Sequence, residues 1–216
     1  CIFVSEVARA KFLSYLAVAL PGKDCRVILQ PPSLRSLLSP AADLFASASS
    51  GASSDSSNLL TAGLPPFRYL LFNSSIEPRK NVLLAIRAFR LSGMPEMGIR
   101  LCVTGKLKDD CYSQSIMAES DESIYIAGYV DEAQKAGLFL NALAVLSPSL
   151  VEGFGIPVLD AACVGAQVLA SNCASHCEIA RQYDFGQYIT LLPPADPLAW
   201  AREVKRLVDG ELSRIN

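Results

Sequence analysis

Three short polar clusters hold the residue types that chemistry needs. The first is Glu77-Pro78-Arg79-Lys80-Asn81. Two cations just ahead of a helix start, beside free N–H groups and the positive end of the helix dipole, form a site for phosphate; the plainer reading is a solvated turn with an Asn cap. The second cluster runs from Ser147 to Pro157 as Ser-Pro-Ser-Leu-Val-Glu-Gly-Phe-Gly-Ile-Pro. Its Glu152 is one of only two charged residues between Gly137 and Ala174. A carboxylate in so apolar a stretch must be hydrogen-bonded, paired or functional. Gly153 and Gly155, flanking Phe154, let the backbone approach an anion or sugar hydroxyls closely. The other charge, Asp160, follows Glu152 by about two helical turns and falls near the same side, so the pair could grip several hydroxyls. The alternative for the two is a capping glutamate and a solvated aspartate. The third cluster, Gly128-Tyr129-Val130-Asp131, reads as a strand-to-helix turn with an N-cap.

Other chemistries are poorly supplied. Cys173-Ala174-Ser175-His176-Cys177 invites a metal reading, but zinc wants four ligands and His176 is the only histidine, so no metal is expected. The same shortage argues against a Ser-His-Asp or Cys-His hydrolase. No GxxxxGK[ST] loop is present, so a phosphate site here is not a P-loop.

The elements that must position these clusters follow from alternating apolar runs. Strand-length runs recur at Tyr69 to Phe72, Ile99 to Val103, Ile124 to Ile126, Ala144 to Leu146, Gln167 to Leu169 and Tyr188 to Leu192, with helix-length stretches between. The runs are apolar throughout, as in strands covered on both faces, which predicts an α/β fold with a doubly wound parallel sheet. Asn81 is expected to cap a helix over Val82 to Leu91 ended by Gly93, and Asp131 a helix over Glu132 to Leu140. Pro197 should open a helix over Leu198 to Val208 that stops near Gly210. All three polar clusters then sit at carboxyl ends of strands, where open α/β sheets bind ligands. The front differs: Ile2 to Val4, Glu6 to Leu20 and Arg26 to Leu29 read as a short βαβ piece, followed by a serine-rich tract. Residues 1–32 are thus expected to be the tail of another domain and its connection, 33–66 a loop or linker, and 67–216 a nucleotide-binding domain.

Composition supports an ordered chain of ordinary charge. Of 216 residues 51% are apolar, and 19 basic against 21 acidic residues leave a net charge of -2. Disorder is excluded for most of the chain, and no cationic field recruits nucleic acid. No run of some 18 apolar residues reads as a transmembrane segment, and the start lacks a secretory signal. Seven scattered cysteines fit buried thiols of a reducing, cytoplasmic compartment.

Taken together, Ile76-Glu77-Pro78-Arg79-Lys80-Asn81, Gly105, Gly128-Tyr129-Val130, the stretch from Ser147 to Ala161, Gly165 and Glu178 resemble the donor-binding half of a GT-B glycosyltransferase of family 4, the retaining nucleotide-sugar-dependent group. The resemblance implies a Rossmann-like half of a GT-B fold that transfers a hexosyl group from a GDP or UDP sugar, with no cofactor. It implies that Glu152 faces the transferred sugar, with Gly153, Phe154 and Gly155 beside it. Asp160, standing in for a glutamate, would hold the ribose, Arg79 and Lys80 the diphosphate, and Tyr129 and Val130 the base. It also implies an N-terminal acceptor domain outside this chain, through which peripheral membrane contact could occur, and little transfer without it. The alternative reading is a non-catalytic nucleotide-sugar-binding module.

Overall fold

Each apolar run from Tyr69 onward becomes a strand because its side chains find cover on both sides. The computed structural model describes residues 65–182 and 185–215, together with 2–3, 6–7, 10, 13–14 and 28–29. At the front, β1 (Ile2–Phe3) pairs in parallel with β2 (Ile28–Leu29), and residues 6–7 are helical. Of the linker expected over 33–66, all but residues 65–66 lie outside the described residues.

The main sheet is built from β3 (Tyr69–Asn73), β4 (Arg100–Thr104), β5 (Ile124–Gly128), β6 (Ala144–Ser147), β7 (Val168–Ser171) and β8 (Ile189–Leu192). The six lie in the order β5-β4-β3-β6-β7-β8, all parallel. The helices are α1 (Val82–Leu91), α2 (Cys111–Ala118), α3 (Glu132–Asn141), α4 (Ile156–Cys163), α5 (Ala174–Gln182) and α6 (Pro197–Ile215). Strand residues alternate between two cores, as the pleat requires. Leu70 and Phe72 pack with Ile86 and Phe89 of α1 and Trp200 and Val204 of α6. Leu71 and Val145 pack on the opposite face with Phe139 of α3, Val158 of α4 and Ile179 of α5. Fully burying side chains of this size stabilises by roughly 1.5 to 3 kcal/mol each. The doubly wound α/β expectation therefore holds.

Three local expectations meet different fates. Asp131 caps α3 through a reciprocal box with Gln134, as expected. Asn81 does not cap α1 with its side chain; its backbone is left-handed, at φ 57°, and its amide is used elsewhere. Gly210 does not stop α6, which continues to Ile215. An interior glycine costs a helix only about 1 kcal/mol, and the buried Trp200, Val204 and Val208 already tie α6 to the sheet. Gly105, after β4, has φ 115°, and a Cβ there would stand 2.2 Å from the Ser74 carbonyl oxygen. Only glycine lets these two loops touch. Among the described residues no helix is long and apolar enough to cross a membrane.

Candidate functional site

The strand order reverses between β3 and β6, which lie side by side while their neighbours run outward in opposite directions. Loops leaving two such strands diverge and open a crevice at the carboxyl edge. The loop after β3 forms a single 3-10 turn over Pro78–Lys80, and the loop after β6 carries Glu152. Hydrogen bonds to backbone carbonyls join them. The Leu150 amide donates to the Arg79 carbonyl at 2.8 Å. The Asn81 side-chain amide donates to the carbonyls of Pro148, at 3.2 Å, and Pro194, at 3.0 Å, tying the loops after β3, β6 and β8 together. That pair of hydrogen bonds explains why Asn81 gives up the cap.

Charge meets charge where the loops join. Lys80 is buried and pairs with Oε1 of the equally buried Glu152. Arg79 lies 3.3 Å from Oε2 of the same carboxylate and bonds Glu77 at 2.8 Å, with 44% of its side chain exposed. Ser149 donates to Glu152 Oε1 at 2.8 Å, and Ser175 to the Glu152 carbonyl at 2.7 Å. Burial would push the Glu152 carboxyl up, but the hydrogen bonds from Lys80 and Ser149 and the Lys80 charge together hold it below its usual value. Glu152 is therefore an anion at neutral pH, fixed in orientation on both oxygens.

The chain then turns through Gly153-Phe154-Gly155 into α4. Gly155 occupies the N-cap at φ 107°, Pro157, which has no N–H, lies in the first turn, and the Val158 and Leu159 amides donate to the Gly155 carbonyl, so the amino end of α4 lies directly after Glu152. Phe154 is buried against Val158 and Leu159. Arg79, Lys80, Glu152 and this turn are thus brought together.

Asp160, Tyr129 and Val130 are placed differently. Asp160 is buried on α4 and its partner is Lys135 of α3, at 3.3 Å. Burial raises its pKa, and Lys135 offsets only part of that. It is neither a solvated helix aspartate nor, in this structure, bonded into the Glu152 cluster. Tyr129 stands 83% exposed after β5, while Val130 packs partly buried on the α4 side of the sheet. A raised folded pKa means that the charged form of Asp160 costs stability above that value, a cost absent in acid where the group is protonated both folded and unfolded. Asp160→Asn is accordingly expected to melt no lower than wild type at pH 7 and to lose any advantage below about pH 4. Melting curves across that range check it, and a large loss at pH 7 would show that the Lys135 pair outweighs burial.

Ser149, Ser175, Lys135 and His176 escaped the sequence reading as parts of the site. Serines near Glu152 are visible in the sequence, but which of them reaches the carboxylate depends on the loop path. His176 lies fully buried behind Gly155. Among the described cysteines only Cys102 is buried; Cys163, Cys173 and Cys177 are partly exposed and Cys111 exposed, all free, so the expected buried thiols reduce to one. Burial pushes the Cys102 thiol up to about 12. For Cys173 burial acts the same way, but the neighbouring His176 and Ser171 outweigh it and lower the pKa. With iodoacetamide at pH 7, Cys173 should alkylate faster than the comparably exposed Cys177, as followed by fragment mass spectrometry. Equal rates would contradict the lowered pKa.

Sequence comparison decides the family. The profile described as "Glycosyl transferases group 1" matches residues 65–215, which take in the whole six-stranded sheet. The chain belongs to that family. This group 1 glycosyltransferase domain is 33% identical over 115 residues to the O-antigen chain mannosyltransferase B of Escherichia coli, a match covering 51% of the chain and 30% of that relative. It superposes on a glycosyltransferase from Rickettsia africae with a TM-score of 0.69 at 14% identity, covering 96% of this chain and 52% of that one. The sucrose-phosphate synthase of Thermosynechococcus elongatus gives a TM-score of 0.61 at 18% identity, covering 99% and 53%. The pneumococcal O-GlcNAc transferase, solved with UDP and GlcNAc, gives 0.63 at 15% identity, covering 97% and 38%. These likenesses establish a Rossmann-like sheet of the GT-B type, and the chain spans about half or less of the solved relatives' length.

Proposed function

We propose that this group 1 domain binds the donor of a family 4 reaction, a GDP- or UDP-linked hexose, and takes part in transfer of the sugar with retention of configuration. The observation that carries the reading is the meeting of Arg79, Lys80 and Glu152 at the strand-order reversal, beside the amino end of α4. Departure of a nucleoside diphosphate develops negative charge on the leaving oxygen. Arg79 and Lys80, with the positive dipole end of α4, stabilise that charge with no metal ion. Glu152, ionised and held at both oxygens, accepts hydrogen bonds from the sugar hydroxyls. Asp160 takes the ribose once the donor competes with Lys135, and Tyr129 and Val130 flank the base. The acceptor attacks from the face that the diphosphate leaves.

Residues 67–216 carry these donor contacts in this reading, and 1–32 belong to the connection with a second α/β half that binds the acceptor. The Glu178 carboxylate accepts hydrogen bonds from the Glu6 and Val7 amides at 3.0 and 3.3 Å, so residues 6–7 are held on α5. Closure of two halves around the substrates supplies the reactive geometry. The mannosyltransferase relative makes GDP-mannose the first donor to try. In the test, the full-length protein is given GDP-mannose or UDP-glucose with a lipid or glycan acceptor in excess EDTA, and the product anomer is read by NMR. Retention that survives EDTA is expected; inversion, or rescue only by added Mg²⁺ or Mn²⁺, would reject the reading.

A further inference from the structure

His176 is the only histidine of the chain, lies wholly buried, and has a ring held at two edges. Nδ1 is 3.0 Å from the Ser171 carbonyl oxygen and 3.2 Å from the Ser171 hydroxyl. Nδ1 donates to that carbonyl, which can only accept, and among the described residues Nε2 has no hydrogen-bond partner. The free edge rests against Gly155: a Cβ built there would stand 2.8 Å from Cδ2 and 3.1 Å from Nε2. The ring is thus the wall behind the turn that leads into α4. Ser171 links the same ring to the carboxylate, because its hydroxyl donates to the Ser149 carbonyl and the Ser149 hydroxyl donates to Glu152. Burying a nitrogen without a partner is unfavourable, and an apolar side chain of similar shape would fill the space at no such cost. Packing alone therefore does not account for a histidine here.

We propose that His176, fixed by Nδ1 to the end of β7 and abutting Gly155, is a positioning residue that sets the Gly153–Gly155 turn and, through Ser171 and Ser149, the orientation of Glu152. It touches neither donor nor acceptor. The inference rests on the reading of Glu152 as the group that faces the sugar.

The experiment uses full-length protein and three variants, His176→Leu, His176→Asn and His176→Gln. Leu fills the volume without polar atoms; Asn places an amide where Nδ1 bonds Ser171; Gln places one where Nε2 lies. His176→Leu should melt at or above wild type, bind GDP or UDP within about threefold, and lose roughly tenfold or more in kcat with GDP-mannose or UDP-glucose. His176→Asn should recover part of that kcat and His176→Gln none. Full kcat in His176→Leu would overturn the proposal by showing that the ring merely packs. Equal kcat in the Asn and Gln variants would overturn it too, and that comparison stands even if the Leu variant does not fold. Wild-type protein that binds neither GDP nor UDP would bring down the donor reading and this inference with it, whereas normal donor binding with no effect at His176 removes the inference alone.

Discussion

Glu152→Gln in the full-length protein is expected to lower turnover per folded molecule by roughly a hundredfold or more, the scale on which removing one preorganised polar group slows a reacting centre. Gln keeps an acceptor for Ser149 and nearly the same volume, so the loop path should persist. It removes the charge that, in the proposed function, orients sugar hydroxyls. It also deprives Lys80 of its buried counter-ion, so stability should fall by about 1 to 3 kcal/mol. Affinity for GDP or UDP, which lack the sugar, should hold or rise, because Lys80 is released to phosphate. The stability difference has a defined pH window. A carboxyl held below its ordinary value of about 4.5 stabilises fully above that value and loses the contribution as pH falls through the folded one. Wild type and variant should therefore converge in melting temperature on acidification below about pH 4.5. Turnover within threefold of wild type would remove Glu152 from the chemistry and leave it a structural anion.

Replacing Arg79 and Lys80 by alanine should cost roughly 3 kcal/mol of nucleoside-diphosphate binding, about a hundredfold, taking each charge-assisted bond at about 1.5 kcal/mol. The two cations should divide differently between binding and folding. Arg79 is half exposed, so Arg79→Ala should change stability by less than about 1 kcal/mol. Lys80 is buried, and Lys80→Ala leaves the Glu152 anion with less compensation, a loss approaching 3 to 5 kcal/mol. The double replacement Lys80→Met with Glu152→Gln removes both buried charges and should restore most of that stability without restoring transfer. Calorimetry with GDP and UDP, beside chemical denaturation, measures both quantities. Unchanged affinity in the Arg79, Lys80 double variant would show that the pair serves only the fold.

The sequence announced the sheet better than it announced the site. Tyr69 to Phe72 and Ala144 to Leu146 could be read as covered strands because unbroken apolar runs have little other use in an α/β chain. Asp131 could be read as a cap because capping is local, settled within one helical turn. Asn81 had the same residue type in the same position and does something else, since its amide is claimed by carbonyls at positions 148 and 194 that no local window contains. The cations and Glu152 were legible separately, as charges in places that discourage charge. Their pairing was not, because it follows from β3 and β6 being neighbours, a fact of strand order. Asp160 shows the same limit, its lysine lying on another helix. His176 looked like a failed metal ligand, and nothing in its neighbours along the chain points to Gly155.

The central position of β3 bears on how the domain is made. Of the six-stranded sheet, β3, β4 and β5 leave the ribosome first and can pair among themselves, so one wing of it can form early. Lys80 is complete at that stage, but its carboxylate lies 72 residues further on and the Asn81 acceptor at Pro194 113 residues on. Until those arrive Lys80 stays hydrated, and the crevice edge cannot close around an unpaired charge. Folding of the nascent chain should then proceed in two steps, with the early wing becoming protease-resistant in ribosome-stalled chains that end beyond α3, and the loops after β3 only in chains that extend through β8. Simultaneous protection of both would mean that the domain waits for its last strand and folds as one unit.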